Sequence, residues 1–216
     1  AKSAWATTPG TVLADAVEAV DTTRWGTTFK IPVGQNVSSS SIFEYVSLLV
    51  MASEDGTLMQ IDSDGNGAVD ITQTLSQGQS YQVNGGIHSN ASVTASKPVQ
   101  VNLITGDMGS TYESRWFTLP PTNQWGASYY TPVGTTSASY PANVWLYNGN
   151  ASALTINYET KAGAGSFSLA AGGVYRYTMP LQSGAHFYTT DGSPFAALGT
   201  MDSSTSGANQ TYDWGY

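Results

Sequence analysis

The chain has no cysteine. That removes disulfides, thiolate metal sites and cysteine nucleophiles together. Stability must come from core packing and ladder hydrogen bonds, or from contacts with other chains. Charge is scarce too: 10 % of the 216 residues are charged, against about 25 % in an average domain. Lys and Arg number only 7 and the net charge is −8. A nucleic-acid groove needs clustered basic side chains, and so does binding to an anionic membrane surface, so neither is an expected partner. No apolar run reaches the roughly 18 residues of a membrane-spanning helix, and no membrane insertion is expected. No signal peptide or initiator Met is present, so Ala1 reads as a mature end left by signal cleavage or as a domain cut. With ionic groups rare, the polar surface must be built from Ser, Thr, Asn, Gln and Gly. Such a neutral, hydroxyl-rich surface points to a secreted, extracellular or cell-surface location.

Catalytic signatures are missing as well. There is no G-x-S-x-G elbow, and no H-E-x-x-H pair or phosphate-binding loop. The two histidines, His88 and His186, each come after a Gly at an expected strand start, and this duplicated placement favours a role in the fold. A glycosidase needs two acids about 5 to 10 Å apart. Glu113 and Asp213 each follow a Tyr at matching places. Glu113 lies two residues from Arg115, the same-face spacing on a strand, which reads as a structural ion pair. The expectation is a protein that is not an enzyme.

What is present is a repeat. "RWGTTFKIPVG" (24–34) lies over "QWGASYYTPVG" (124–134) at an offset of 100 residues. Trp25, Gly26, Pro32, Val33 and Gly34 match Trp125, Gly126, Pro132, Val133 and Gly134. Further on, "LSQGQSYQV" (75–83) lies over "LAAGGVYRY" (169–177), "GGIH" (85–88) over "SGAH" (183–186), "SKPVQVNLITGD" (96–107) over "GSPFAALGTMD" (192–202), and "TYESRW" (111–116) over "TYDWGY" (211–216). Each copy carries seven or eight short runs rich in Val, Ile, Thr and Tyr, punctuated by Gly, Asn, Asp and Ser. The expected fold is all-β: two tandem antiparallel β-sandwich modules, residues 21–120 and 121–216, behind an N-terminal extension, 1–20. "TVLADAVEAV" (11–20) fits either a helical stripe of Val12, Ala16, Val17 and Val20 or an extended strand with Leu13, Val17 and Ala19 facing in.

Three groups of residues are candidates for function. "IDSDGNGAVD" (61–70) resembles the calcium loop D-x-[DN]-x-[DN]-G, with Asp62, Asp64 and Asn66 at its first three ligand positions, the Ala68 carbonyl next and Asp70 after it. Gln73 stands where a bidentate Glu should be, and the flanks look like strands. The matching region "YETKAGAGSFS" (158–168) has no Asp array, so Ca²⁺ and a plain solvated turn both remain readings. A second group is aromatic: "SYYTP" (128–132) together with Tyr140, Trp145 and Tyr147 could form an exposed surface for sugar rings. The third is the segment carrying Val12, Leu13 and Val17, which could add as a strand to a neighbouring copy's open sheet and so build a filament or pilus. N-x-[ST] sequons occur at Asn36, Asn90, Asn150 and Asn209, about the number that chance gives in so Ser/Thr-rich a chain.

The run "SKPVQVNLITGD…YESRWFTLPPTNQWGASYYTPVG", with its Trp-Gly…Pro-Val-Gly signature, the "DGT…IDSDGNG" hairpin and the "S-x-PVQV" strand, resembles the repeat of IgGFc-binding-protein-like domains of large secreted and bacterial surface proteins. The resemblance spans most of 20–216. It implies extracellular β modules of adhesive or mucin-like proteins and supplies no catalytic residues. Fc binding is not carried over, because no motif for it is visible. Members of the family often continue beyond the point matching Tyr216, which implies a truncation or a last strand completed elsewhere. The reading is therefore a non-enzymatic structural or adhesive surface protein, with a filament subunit as its specific variant and a carbohydrate-binding module as the alternative. Its partners would be other copies of itself, other surface proteins or glycans.

Overall fold

Residues 2–5, 15–37, 41–106, 114–138 and 141–201 are described in a computed structural model of the chain. They form sixteen strands and three short 3-10 turns, with no α-helix among the described residues. At the N-terminus, β1 (Lys2–Trp5) and β2 (Asp15–Glu18) make an antiparallel pair in which Val17 stands opposite Ser3. The stretch around Val17 is therefore extended, not helical, and β2 is paired within its own chain. Val12 and Leu13 lie outside the described residues.

The first half holds β3 (Gly26–Lys30), β4 (Tyr45–Ala52), β5 (Thr57–Asp62), β6 (Ile71–Leu75), β7 (Ser80–Val83), β8 (Ser92–Gly106) and β9 (Ser114–Leu119). The second holds β10 (Ser128–Thr131), β11 (Ala142–Tyr147), β12 (Leu154–Thr160), β13 (Gly163–Leu169), β14 (Val174–Thr178), β15 (Ala185–Tyr188) and β16 (Ala196–Met201). All pairs of named strands are antiparallel.

In the first half one long strand organises the rest. The start of β8, Ser92 to Ala95, pairs with β3 and β5, and β6 adds outside β5. The end of β8, Val99 to Gly106, pairs with β4 and β9, and β7 adds outside β4. Pro98 stands between the two parts. It has no N–H to donate to a ladder, and its carbonyl accepts instead from Ser53 N and Ser53 Oγ at 3.2 and 2.7 Å. The same pairing order recurs in the second half, with the long strand divided in two. There β15 pairs with β10 and β12, β13 adds outside β12, and β16 and β14 flank β11. The segment that the sequence repeat sets against the start of β9, 211–216, lies outside the described residues.

The repeated signature has the same local job in both halves. A 3-10 turn, Thr22–Arg24 or Thr122–Gln124, ends on the tryptophan. The Trp25 indole Nε1 donates to the Val20 carbonyl, and that of Trp125 to Pro120, each over 3.3 Å and five residues back. The glycine closing each Pro-Val-Gly lies flat against a passing backbone. A Cβ on Gly34 would overlap His88 and Ser89, and one on Gly134 would overlap Ser183.

The core follows the period-two rule. Val46, Leu48, Val50 and Ala52 of β4 point inward with Met59, Ile61, Val93, Val99, Val101 and Leu103. A second cluster holds Ala142, Val144, Leu146, Ile156, Leu169 and Phe187. The two halves are joined through β11. Its even residues enter the second cluster, while Trp145 enters the first and meets Phe43 edge to face at 4.8 Å.

Candidate binding surface

The Asp62–Asp70 loop connects β5 and β6, whose ladder closes at Ile61 opposite Ile71. Asp62 is buried and serves as the hub of the turn. Its Oδ1 accepts from Gly65 N and Asn66 N at 2.8 and 3.2 Å, and its Oδ2 from Gly67 N at 2.8 Å. Gly65 and Gly67 need positive φ, 75° and 92°, which glycine adopts without strain. Asp64 accepts from Asn66, and Asn66 Oδ1 accepts from Ala68 N. The Ser63 hydroxyl and backbone N–H both donate to Asp70 Oδ2 and hold its carboxyl below the usual carboxylate range. Carboxylate oxygens of Asp62, Asp64 and Asp70 converge within 4.8 Å of one another. Such hard oxygen donors suit Ca²⁺, yet the same oxygens already close the turn by themselves. Gln73 is not part of the loop: it lies in β6 opposite Met59, three residues beyond Asp70.

The aromatic surface expected from Tyr140, Trp145 and Tyr147 does not form as expected. Trp145 is 1 % exposed and Tyr147 0 %, while Tyr140 lies outside the described residues. The Trp145 indole donates to Thr200 Oγ1 at 3.1 Å, with the Arg176 guanidinium over its ring. The Tyr147 hydroxyl donates to Asn90 Oδ1 at 2.9 Å, and burial pushes its pKa up to about 12. The run Val144-Trp145-Leu146-Tyr147 carried the signal for this. An uninterrupted apolar strand is buried on both faces, here by its own half and by the first. Asn90 is drawn into the same joint. It also accepts from Lys30 Nζ and donates to the Gly65 carbonyl, so this sequon asparagine is a structural side chain.

The exposed aromatics stand elsewhere. On the sheet of β10, β15 and β12, Tyr130 is opposite His186, and His186 is opposite Glu159. Tyr130 is 77 % exposed. Its ring stacks on the His186 imidazole at 4.0 Å between centroids and 3° between planes. Tyr188 stacks on the same imidazole at 4.6 Å and 20°. One imidazole face accommodates one ring, so the two tyrosines cover opposite faces of His186. Polar groups fix the ladder. Ser128 Oγ lies 2.9 Å from His186 Nε2, and Glu159 Oε2 lies 3.6 Å from Nδ1. The Tyr188 hydroxyl donates to Glu159 Oε1 at 3.1 Å, and this carboxylate raises the Tyr188 pKa. An open depression of ≈ 460 Å³ lies beside the ladder, lined by Tyr130, Thr131, Glu159, Lys161 and His186 among others.

Of the three rings of this ladder, the sequence offers only Tyr130, within "SYYTP", as a binding candidate, and it assigns His186 to the fold. The alternation in "AHFY", with Ala185 and Phe187 inward, places His186 and Tyr188 outward together. The two histidines are not equivalent in the structure. His186 lies within β15, whereas His88 sits in the loop before β8 and its backbone N–H donates to the Ser63 carbonyl. Glu113 and Asp213 lie outside the described residues. Arg115 is buried in β9 opposite Thr105.

The family model described as IgGFc binding protein matches residues 15–215. The chain belongs to the IgGFc-binding-protein family. No curated protein and no solved structure matches it. As a member of that family it carries both of its Trp-Gly…Pro-Val-Gly signatures inside the matched region, and the ladder face lies wholly within it. No helix among the described residues is long and apolar enough to cross a membrane.

Proposed function

We propose that this chain is a non-enzymatic extracellular binding protein, built as two β-sandwich modules over 21–120 and 121–216, that engages its ligand through the exposed ladder face of the second. Membership in a family described by binding to IgG Fc supports a binding role outside the cell. The recurring pairing order of the two halves supports the two-module reading. The observation that carries the choice of face is Tyr130: a large ring, mostly exposed, held rigid by stacking on His186. Rigid exposed aromatics offer contact area at low entropic cost. The reading does not include filament assembly, to which the pairing of β2 with β1 of its own chain lends no support.

The test is retention of the untagged chain on immobilised secreted mucin and on immobilised IgG Fc, beside a Tyr130→Ala, His186→Ala double variant. Retention of the parent and loss in the variant is expected on at least one surface. Equal retention of both proteins would move the site off the ladder, and no retention on either surface would remove the binding reading.

A further inference from the structure

The two halves act as internal controls for one another. Strand register aligns Lys30, Ser92 and Asp62 of the first half with Tyr130, His186 and Glu159 of the second. The neighbouring row aligns Thr28, Thr94 and Gln60 with Ser128, Tyr188 and Asn157. The inward positions between these rows keep apolar or aromatic side chains in both halves: Phe29, Val93 and Ile61 in one, Tyr129, Phe187 and Tyr158 in the other. The fold therefore needs apolar side chains inside and makes no demand for rings outside. Three rings stacked on the outer face of the second half have no counterpart in the first, so packing does not account for them.

The chemistry beside the rings narrows the ligand. The depression lies beside the exposed Tyr130 ring and brings together the Glu159 carboxylate as acceptor and Lys161 as donor. One acid and one base line the depression, so the site itself is close to neutral and suits an uncharged ligand. The chain's net charge of −8 repels anions at longer range, which disfavours acidic sugars and nucleotides. A ligand that covers an aromatic face with C–H groups and extends hydroxyls to a neighbouring carboxylate and ammonium is a neutral glycan of linked pyranoses.

We infer that the Tyr130–His186–Tyr188 ladder is a binding platform for a neutral glycan, one hexopyranose unit stacked on the open face of Tyr130 and a linked unit reaching the depression, where Glu159 and Lys161 meet its hydroxyls. This rests on the reading of the ladder as the binding face. Glu159 does two jobs there: it fixes His186 and Tyr188 in place and leaves carboxylate lone pairs for hydroxyl donors.

The experiment uses the full chain on an array of neutral and acidic glycans, followed by calorimetric titration with the neutral oligosaccharide that gives the strongest signal. Neutral hexose-containing glycans are expected to bind. Tyr130→Ala should weaken binding by roughly tenfold or more, which is about 1.4 kcal/mol, with an unchanged melting temperature because the ring is on the surface. Tyr175→Ala, at an exposed aromatic on a different sheet, should bind as the parent does. Equal affinity of the parent and Tyr130→Ala would overturn the platform, as would selective binding of acidic glycans. A mucin surface stripped of its glycans separates the two readings. Retention that survives stripping would overturn the glycan inference and leave the binding function standing, whereas absence of retention on both intact mucin and IgG Fc would overturn both.

Discussion

The two halves share a pairing order and a signature, and they differ in what they hang on it. In the first half the row of Lys30, Ser92 and Asp62 is turned to internal use: Asp62 closes the turn to β6, and Lys30 reaches Asn90. In the second half the same row, Tyr130, His186 and Glu159, faces outward as a stacked ladder, and the turn beyond β12 shrinks to Lys161 and Ala162 between Thr160 and Gly163. The comparison separates what the architecture requires from what it permits. The tryptophan-capped turn and the flat-packed glycine appear twice, with the same contacts in each half. The loop and the ladder appear once each because they occupy positions the architecture leaves open.

The largest expected effect tests how far the halves depend on one another. Strand pairing places Trp145 of β11 and Leu49 of β4 at corresponding sites, one residue before the partners of Tyr175 and Tyr81. Leu49 is half-buried, whereas Trp145 is enclosed by the first half's core. Trp145→Ala should destabilise the chain by about 3 to 5 kcal/mol, and Leu49→Ala by about 1 to 2 kcal/mol. Urea unfolding followed by circular dichroism reads both. Two transitions in Trp145→Ala where the parent shows one would mean that the joint carries the cooperativity; equal costs at the two sites would mean that the halves stand independently.

The next effect is a titration in the same joint. Met51 of β4 corresponds to Tyr147 of β11 and has no proton to lose. The folded pKa of Tyr147 is raised to about 12, above the unfolded value of about 10. Above pH 10 the unfolded chain loses this proton first, so the native state binds more protons and stability falls as pH rises. The contribution is intact below pH 10 and is lost progressively toward pH 12, by about 2 to 3 kcal/mol at the upper end. Burial also raises the pKa of Tyr129 and Tyr177, so the readout is the difference in unfolding midpoint between the parent and Tyr147→Phe across pH 9 to 12. A difference that stays flat over that window would contradict the buried hydroxyl.

The sequence made the architecture legible wherever a pattern had to recur. Trp25 and Trp125, Gly34 and Gly134, and the period-two runs of β4 and β8 exposed the strands and their repetition. It was less informative where one residue type serves opposite ends. Trp145 and Tyr130 are both aromatics in poorly matched positions, and only the arrival of the first half's core on β11 makes one a joint and the other a surface. The continuous apolar run around Trp145 was the available sign. Likewise "IDSDGNG" shows carboxylates at calcium-loop spacing, but it does not show that Asp62 faces three backbone N–H groups. His88 and His186 matched by neighbouring letters, while strand register aligns His186 with Ser92.

The flat-packed glycines offer a comparison in which the halves should agree. Gly34→Ala and Gly134→Ala each push a Cβ into a passing backbone, and each should cost about 1 to 3 kcal/mol through forced displacement. Comparable losses in thermal unfolding would confirm a shared structural duty. A tolerated alanine in one half only would show that the signature there is inherited and no longer needed.

The smallest effects contrast Asp62 with Glu159, two acids at corresponding strand positions. Asp62→Ala strips the acceptor from Gly65, Asn66 and Gly67 and should cost about 1 to 2 kcal/mol, as the loss of a helix-capping carboxylate does. Glu159→Ala removes an exposed side chain from the surface and should change stability by no more than about 0.5 kcal/mol. Melting temperatures of both variants and the parent, measured in a chelator and again in millimolar CaCl₂, read the pair. A turn that closes by its own hydrogen bonds gives the Asp62→Ala penalty in the chelator already. A melting temperature that rises with calcium in the parent and in Glu159→Ala, but not in Asp62→Ala or Asp64→Ala, would add a metal to the same loop by mass action. Either result keeps the contrast in place: the acid of the first half holds its own backbone, and the acid of the second holds the rings that face outward.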